Sequence, residues 1–242
     1  MSDVFVVIPV YNEAACIGAV CDEVFAFAAQ HRDYRFLFVN DGSTDDTAPR
    51  LTARLDRERP ERVELMSLPA NSGKGAAVRA GMQRNTGRLV CFLDGDLAYS
   101  LDHLSALVEA LGHADIAIGN RLAHAGNVGR VASRRRLASR GYNCLVRWLT
   151  GLPYADTQAG LKGLRAAAAE AVLSRQTLSH FAFDVEMLYI ARKQKLTVAE
   201  VPAKVSADHA GKGSTVRLFR DSLRMVWALC RIRYRDVTGH YG

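Results

Sequence analysis

Arg88-Leu89-Val90-Cys91-Phe92-Leu93-Asp94-Gly95-Asp96 is a short apolar run that stops at two aspartates separated by one glycine. An apolar run of this length, bounded by turn residues, reads as a buried strand. In an open α/β sheet the ligand crevice lies beyond the carboxyl ends of the strands, which places Asp94 and Asp96 at its mouth. Two carboxylates there suit a hard divalent cation and the diphosphate it carries. Asp and Gly are also ordinary turn residues, so the stretch needs support from the rest of the chain.

Upstream and downstream of it, strand and helix signals alternate. Strands are expected at Val4–Ile8, Arg35–Val39, Arg62–Met66 and Asp115–Gly119, with amphipathic stretches near 13–30, 45–58, 74–85 and 101–111 between them. That alternation predicts an α/β fold, a mostly parallel doubly wound sheet with helices on both faces. Ser43-Thr44-Asp45-Asp46, Ser100-Leu101-Asp102 and Asn71-Ser72-Gly73 supply helix starts. After residue 120 the rhythm changes: a basic helix over 130–150, a short strand at 160–164, helices over 166–174 and 181–193, an extended segment at 196–205, and a long basic helix over 215–235. No linker, repeat or low-complexity tract divides the 242 residues. One domain is expected, with residues 1–120 forming its first half and 121–242 an elaborated second half.

Charge is unevenly placed. Residues 121–150 hold seven arginines and no acid, and residues 209–235 hold Lys212 and six arginines against Asp221 alone. These segments carry about +13 of a net +7, so the remainder is acidic and an anionic partner is expected on one face. The first strand follows Ser2-Asp3 without a basic leader, and apolar stretches are strand-length, so neither a secretory leader nor a membrane-spanning helix is expected. Five scattered cysteines and seven histidines show no metal-ligand spacing, which fits reduced thiols in a cytoplasmic protein.

Polar motifs recur at the other strand ends. Pro9-Val10-Tyr11-Asn12-Glu13 follows the first strand and could hold a planar base and a ribose; a proline turn with Asn12 as helix cap is the bland alternative. Val39-Asn40-Asp41-Gly42-Ser43-Thr44-Asp45 ends the second and sets a carboxylate beside a helix N-terminus. Asn71-Ser72-Gly73-Lys74-Gly75 is not a phosphate-binding P-loop, because Leu68 stands where its first glycine belongs and Gly75 where Ser or Thr belongs. It remains a glycine-permitted loop and a lysine, suited to a diphosphate or ribose.

In this order the motifs resemble the family 2 glycosyltransferases with the GT-A nucleotide-sugar fold. Ile118-Gly119-Asn120-Arg121, Asp156-Thr157-Gln158-Ala159-Gly160-Leu161-Lys162 and Phe181-Ala182-Phe183-Asp184-Val185-Glu186-Met187-Leu188 are similar to the dolichyl-phosphate glucose synthase branch. The resemblance, from Val4 to about Tyr234, implies an inverting transfer of a hexose, glucose from UDP-glucose, to a polyprenyl phosphate at the cytosolic membrane face. It implies that Pro9, Tyr11, Glu13 and Asp41 bind uridine and ribose, with Ser43 and Lys74 close by. Asp94 and Asp96 would hold Mg²⁺ or Mn²⁺ against the diphosphate, Asp96 more directly. Two departures concern the sugar and the metal shell: Ala98 stands where the mannose synthases carry Gln, and Asp94-Gly95-Asp96-Leu97-Ala98 replaces the Asp-Ala-Asp-Gly-Ala usual in the glucose branch.

A phosphate acceptor is deprotonated at neutral pH and needs aligning cations more than a base. Arg121, Arg130, Arg136, His209, Lys212 and Ser214 are the candidates for that task. Asp156, Arg121 and Asp94 are expected at the reacting centre, with Asp156 orienting acceptor or sugar; its alternative is a helix-capping aspartate before Thr157-Gln158. Asp184 and Glu186 could serve similarly, or be solvated or paired charges on a helix. A glycolipid or diacylglycerol hydroxyl acceptor would instead need a base, Asp156 or Glu186. A nucleotidyltransferase should carry a glycine-arginine-rich loop after the first strand, and none is present. No nucleic-acid partner is expected, since the basic segments lack interleaved aromatics and a carboxylate-lined crevice repels nucleic acid. Over 215–235, Leu218, Phe219, Leu223, Val226, Trp227 and Cys230 recur at helical spacing among arginines, either packed on the domain or lying on an anionic membrane surface.

Overall fold

A computed structural model of the chain describes residues 3–123, 133–180, 182–206 and 218–242, with backbone alone for 133–140, 142 and 218–224. The elements run β1 (Val4–Val10), α1 (Ile17–Gln30), β2 (Tyr34–Asn40), α2 (Thr47–Glu58), β3 (Val63–Ser67), α3 (Lys74–Met82), β4 (Leu89–Leu93), α4 (His103–Ala110), β5 (Ile116–Asn120), α5 (Ser133–Thr150), β6 (Leu161–Arg165), α6 (Ala166–Leu173), α7 (Phe183–Lys193), β7 (Val198–Pro202) and α8 (Leu218–Val237). Every expected strand and helix is present.

Among the described residues, seven strands form one sheet in the order β3-β2-β1-β4-β6-β5-β7. β1 is fully buried and pairs in parallel with β2 on one side and β4 on the other. The chain therefore reverses its direction of travel across the sheet between β1 and β4, and in such sheets the ligand crevice lies beyond the carboxyl ends of the strands at that point. One strand departs from the parallel pattern: β6 runs antiparallel between β4 and β5. This brings Leu161 opposite Leu93, so the segment entering β6 meets the segment leaving β4.

Successive strand residues face opposite layers, as the pleat requires. Phe5, Val7, Leu37, Val39, Val90 and Phe92 join the core containing residues of α3, α6, α7 and α8. Val4, Val6, Ile8, Phe36, Phe38, Cys91 and Leu93 join the core built with α1 and α4. Each such fully buried side chain contributes about 1.5–3 kcal/mol by leaving water. Strands buried on both faces explain why Val90-Cys91-Phe92-Leu93 is continuously apolar.

α8 differs in rotation from its sequence pattern. Its buried side is Ala228, Leu229 and Ile232, whereas Trp227 is 64 % exposed and Val226 and Cys230 also face outward. Spacing alone does not reveal this, because a helix with apolar residues on two sides can seat either one. The side chains of Leu218, Phe219 and Leu223 lie outside the described residues.

Candidate active site

The β4 end carries the carboxylates, and three neighbouring segments supply their partners. Asp94 and Asp96 are both partly exposed at the crevice. Lys74, the first residue of α3, donates from Nζ to Asp94 Oδ1 at 2.5 Å. Burial opposes the Lys74 charge, but Asp94, Asp184 and Asp96 outweigh it and raise its pKa. Burial likewise pushes the Asp94 carboxyl up, and Lys74, Lys162 and Arg121 more than reverse this, leaving it below the ordinary carboxylate range. Asp96 accepts from the Ala98 backbone N–H at 3.0 Å and forms no ion pair among the described residues.

The chain leaving β5 and the chain entering β6 are joined by a charge pair. Arg121 grips Asp156 with both arms of its guanidinium, Nε to Oδ2 at 2.6 Å and Nη2 to Oδ1 at 2.8 Å. Asp156 also accepts from the backbone N–H groups of Arg121 and Gln158 at 3.1 and 3.2 Å. No helix follows Asp156, so the bond from Gln158 closes a turn and is not the helix cap its sequence context allowed; the charge pair with Arg121 is set by tertiary contact. Burial raises the Asp156 pKa and the Arg121 bonds and charge bring it below normal. A buried, four-times bonded carboxylate of low pKa is a poor proton acceptor but a firm mount for Arg121.

Asp94 and Asp156 share a pH consequence. Their folded pKa values lie below the unfolded value of about 3.9, so their stabilisation is complete above that value and is lost as pH falls through the folded pKa. The thermal midpoint should be flat from neutral pH to about pH 5 and fall below about pH 4. Asp156→Asn should lower the plateau and flatten the acid limb. An unchanged acid limb in that variant contradicts the assignment.

Gly160, the residue before β6, closes the site. Its carbonyl accepts from the Asp94 N–H at 2.9 Å, and a Cβ added to it would lie 1.9 Å from Asp94 Oδ2. No side chain fits there unless the carboxylate moves. Gly160→Ala should therefore keep the fold and lower kcat/KM by about 100-fold, because misplacing a functional group by about 1 Å costs that much. Steady-state kinetics with a thermal melt checks it.

The donor-side residues expected from sequence divide into two groups. Tyr11 is 42 % exposed at the rim, while Pro9 is inside β1. Asn12, at φ 54°, accepts from the Thr44 N–H at 2.9 Å, and its own N–H donates to Ser43 Oγ at 3.1 Å. The Glu13 N–H donates to Thr47 Oγ1 at 2.8 Å, so the β1–α1 and β2–α2 loops are laced together. Asp41 is buried, and its two oxygens accept from the N–H groups of Ser72 and Gly73 at 2.8 and 2.9 Å. It holds the loop that delivers Lys74. This bridge links residues 31 and 32 positions apart and is invisible in a motif read singly.

Asp184 and Glu186 are not on a solvated helix face. Asp184 pairs with Lys162 Nζ at 2.6 Å, and Lys162 is completely buried, its pKa lowered by desolvation. Glu186 is also completely buried and bonded away from the crevice. The sequence pattern assigns no role to Lys162 or Gly160. The signal was Lys162 itself: a lysine in a strand at the sheet's centre requires a buried partner. Arg130, Arg136, His209, Lys212 and Ser214 lie outside the described residues or, for Arg136, outside the described side chains.

A divalent cation fits this donor set in part. Asp96 offers carboxylate oxygen that forms no ion pair among the described residues, and Asp94 stands beside it bonded to Lys74. Among the described residues no group of three or more His, Cys, Asp or Glu side chains could hold a metal. The remaining ligands would be diphosphate and water oxygens, which suits Mg²⁺ or Mn²⁺.

The family model described as Glycosyl transferase family 2 matches residues 5–173, spanning all these motifs up to α6. The chain belongs to this family and is a glycosyltransferase. Members similar to it include the dolichyl-phosphate beta-glucosyltransferase of Drosophila melanogaster, 32 % identical over 92 % of this chain and 73 % of that one. The Homo sapiens protein of the same name is 30 % identical over 97 % and 76 %. The polyprenol monophosphomannose synthase of Mycolicibacterium smegmatis is 30 % identical over 88 % and 82 %. Among solved structures, glucosyl-3-phosphoglycerate synthase from Mycobacterium tuberculosis with UDP superposes at TM-score 0.68, covering 96 % of this chain and 79 % of that one at 19 % identity. At that identity the likeness establishes the fold, a GT-A-type α/β architecture.

Proposed function

We propose that this family 2 enzyme transfers glucose from UDP-glucose, with inversion, to the phosphate of a polyprenyl phosphate, as one domain whose first half binds the donor. The observation that carries the acceptor class is the state of the carboxylates. A hydroxyl acceptor needs a base, and the two residues expected from sequence to serve as one are both occupied: Asp156 by Arg121, with a lowered pKa, and Glu186 by four hydrogen bonds inside the protein. An already ionised phosphate needs no base. The names and similarity of the dolichyl-phosphate relatives support the same reading.

In this reading Tyr11, Asn12 and Glu13 meet the nucleoside, and Lys74 meets the diphosphate. Asp96, aided by Asp94, would hold Mg²⁺ or Mn²⁺, which when bound neutralises charge on the leaving diphosphate. One related fold is known with Mn²⁺ and UDP-glucose, which favours this donor and metal class. Arg121, mounted on Asp156, orients the incoming phosphate with the basic segments 121–150 and 209–235. Exposed apolar residues lie on the two helices that carry these arginines: Trp148 at 79 %, Trp227 at 64 %, Tyr234 at 71 % and Val237 at 81 %. Amphipathic aromatics beside arginines suit the headgroup level of an anionic membrane. No helix of the described residues is long and apolar enough to cross one.

The test is a transfer screen of UDP- and GDP-sugars with Mg²⁺ or Mn²⁺ against polyprenyl phosphate and diacylglycerol, with the product's anomeric configuration read by NMR. UDP-glucose and polyprenyl phosphate should give the β-linked product. Transfer to diacylglycerol alone overturns the acceptor, and failure to bind any nucleotide sugar overturns the reading.

A further inference from the structure

Glu186 is the second residue beyond Asp184 on α7, yet it does not point at the candidate active site. Both oxygens are consumed within the protein. Oε2 accepts from the backbone N–H groups of Thr177 and Leu178 at 2.9 and 2.6 Å. Oε1 accepts from the Thr177 hydroxyl at 2.8 Å and from the Tyr241 hydroxyl at 2.7 Å. Tyr241 is itself completely buried, stacks edgewise with Tyr189 at 5.8 Å between ring centres, and accepts on its carbonyl from Gln194 Nε2 at 2.8 Å. Burying a carboxylate is costly unless its hydrogen bonds are complete, and here three of the four come from one short segment, residues 177 and 178.

The residues flanking that segment in the chain form a wall of the Lys74 loop. Ser179 O accepts from the Ala76 N–H at 3.2 Å. A Cβ on Gly73 would lie 2.6 Å from Ser179 O and 2.3 Å from His180 Nδ1, and one on Gly75 would lie 2.6 Å from Phe183 Cβ. The backbone on both sides of Lys74 is thus seated against Ser179, His180 and Phe183 with no room for a side chain. Gln176 adds a second tie, accepting on its carbonyl from Arg79 Nη1 of α3 at 3.0 Å. The Lys74 ammonium itself lies 5.8 Å from the centre of the Phe183 ring.

We propose that Glu186 and Tyr241 are positioning residues for Lys74: through residues 177–180 they fix the seat of the Gly73–Ala76 turn and so the place of its ammonium. The meaning of that place for donor binding rests on the function proposed above; the mechanical link does not. Hydrogen exchange in the whole chain tests the link without any ligand. Glu186→Gln, which sets an amide against two backbone donors, should speed exchange of the amides of residues 72–77 by about tenfold, the loss expected when a hydrogen bond to a charged group is removed. The amides of Val6, Val7 and Ile8 in β1 should be unaffected.

Calorimetry with UDP-glucose then reads the consequence through a double-mutant cycle. Glu186→Gln should weaken binding about tenfold in the native background and less than twofold in a Lys74→Met background, because the effect travels through Lys74. Should Glu186→Gln fail to fold, Tyr241→Phe carries both measurements with about threefold effects, since three of the four bonds to Glu186 survive. Exchange that stays unchanged at residues 72–77, or quickens equally throughout the sheet, overturns the proposal, as do effects that multiply in the cycle. Exchange that changes as expected in a protein that binds no nucleotide sugar keeps the link and overturns the function instead.

Discussion

Lys162→Met should lower the thermal midpoint by about 10 °C, the shift expected for a loss of about 3–5 kcal/mol in a chain of this size. The lysine is wholly buried, and its ammonium bonds Asp184 at 2.6 Å and the Ala159 carbonyl at 2.6 Å above the Phe92 ring. Removing it leaves the Asp184 carboxylate buried without its bonded cation, which costs far more than the pair contributes. The companion variant separates the two quantities. Lys162→Met combined with Asp184→Leu removes both charges, and most of the lost stability should return, because well-packed apolar residues replace a buried pair at little cost. Activity should not return with it. Lys162 is one of the cations that keep the Asp94 carboxyl ionised, so the doubly substituted protein should be stable and slow. Equal stability of the single and double variants, measured by thermal melts at pH 7, contradicts this account.

Asp96→Ala should leave the thermal midpoint within about 2 °C of the parent and lower kcat by about 1000-fold with either Mg²⁺ or Mn²⁺. The asymmetry follows from its contacts. Asp96 makes one hydrogen bond to the backbone of Ala98, a contribution near 1 kcal/mol, and no ion pair among the described residues. A partly exposed carboxylate at a strand end that stabilises so little is free to serve a ligand. Asp94 is the contrasting case: its bond to Lys74 ties it to the protein as well as to the site. Asp94→Asn should therefore change both stability and rate, while Asp96→Ala changes rate. Full turnover by Asp96→Ala would remove the metal assignment.

Much of the site was legible because its residues sit at strand ends, where apolar runs stop at polar turns. Asp94, Asp96, Lys74 and Tyr11 could all be placed at one edge from that rule and the right-handed order of the elements. What each carboxylate does there was not legible. Asp41, Asp156, Asp184 and Glu186 looked equivalent as acids near helix starts. Their partners lie 31, 35, 22 and 55 positions away in the chain, at Ser72, Arg121, Lys162 and Tyr241. Only packing decides which of them is bonded inward and which faces the crevice.

The amino-acid order alone determined the elements, their alternation and the family, because helix period, strand alternation and turn chemistry are properties of neighbours in sequence. Tertiary structure decided three further matters. It set β6 antiparallel beside β4, so that Gly160 presses on Asp94. It turned α8 to bury Ala228, Leu229 and Ile232 and leave Trp227 outside. It also brought the buried carboxylates Asp41, Asp156, Asp184 and Glu186 to their hydrogen-bond partners. The reason is common to all three: burying apolar surface and satisfying buried polar atoms are sums over groups distant in the chain, and no local window contains both partners.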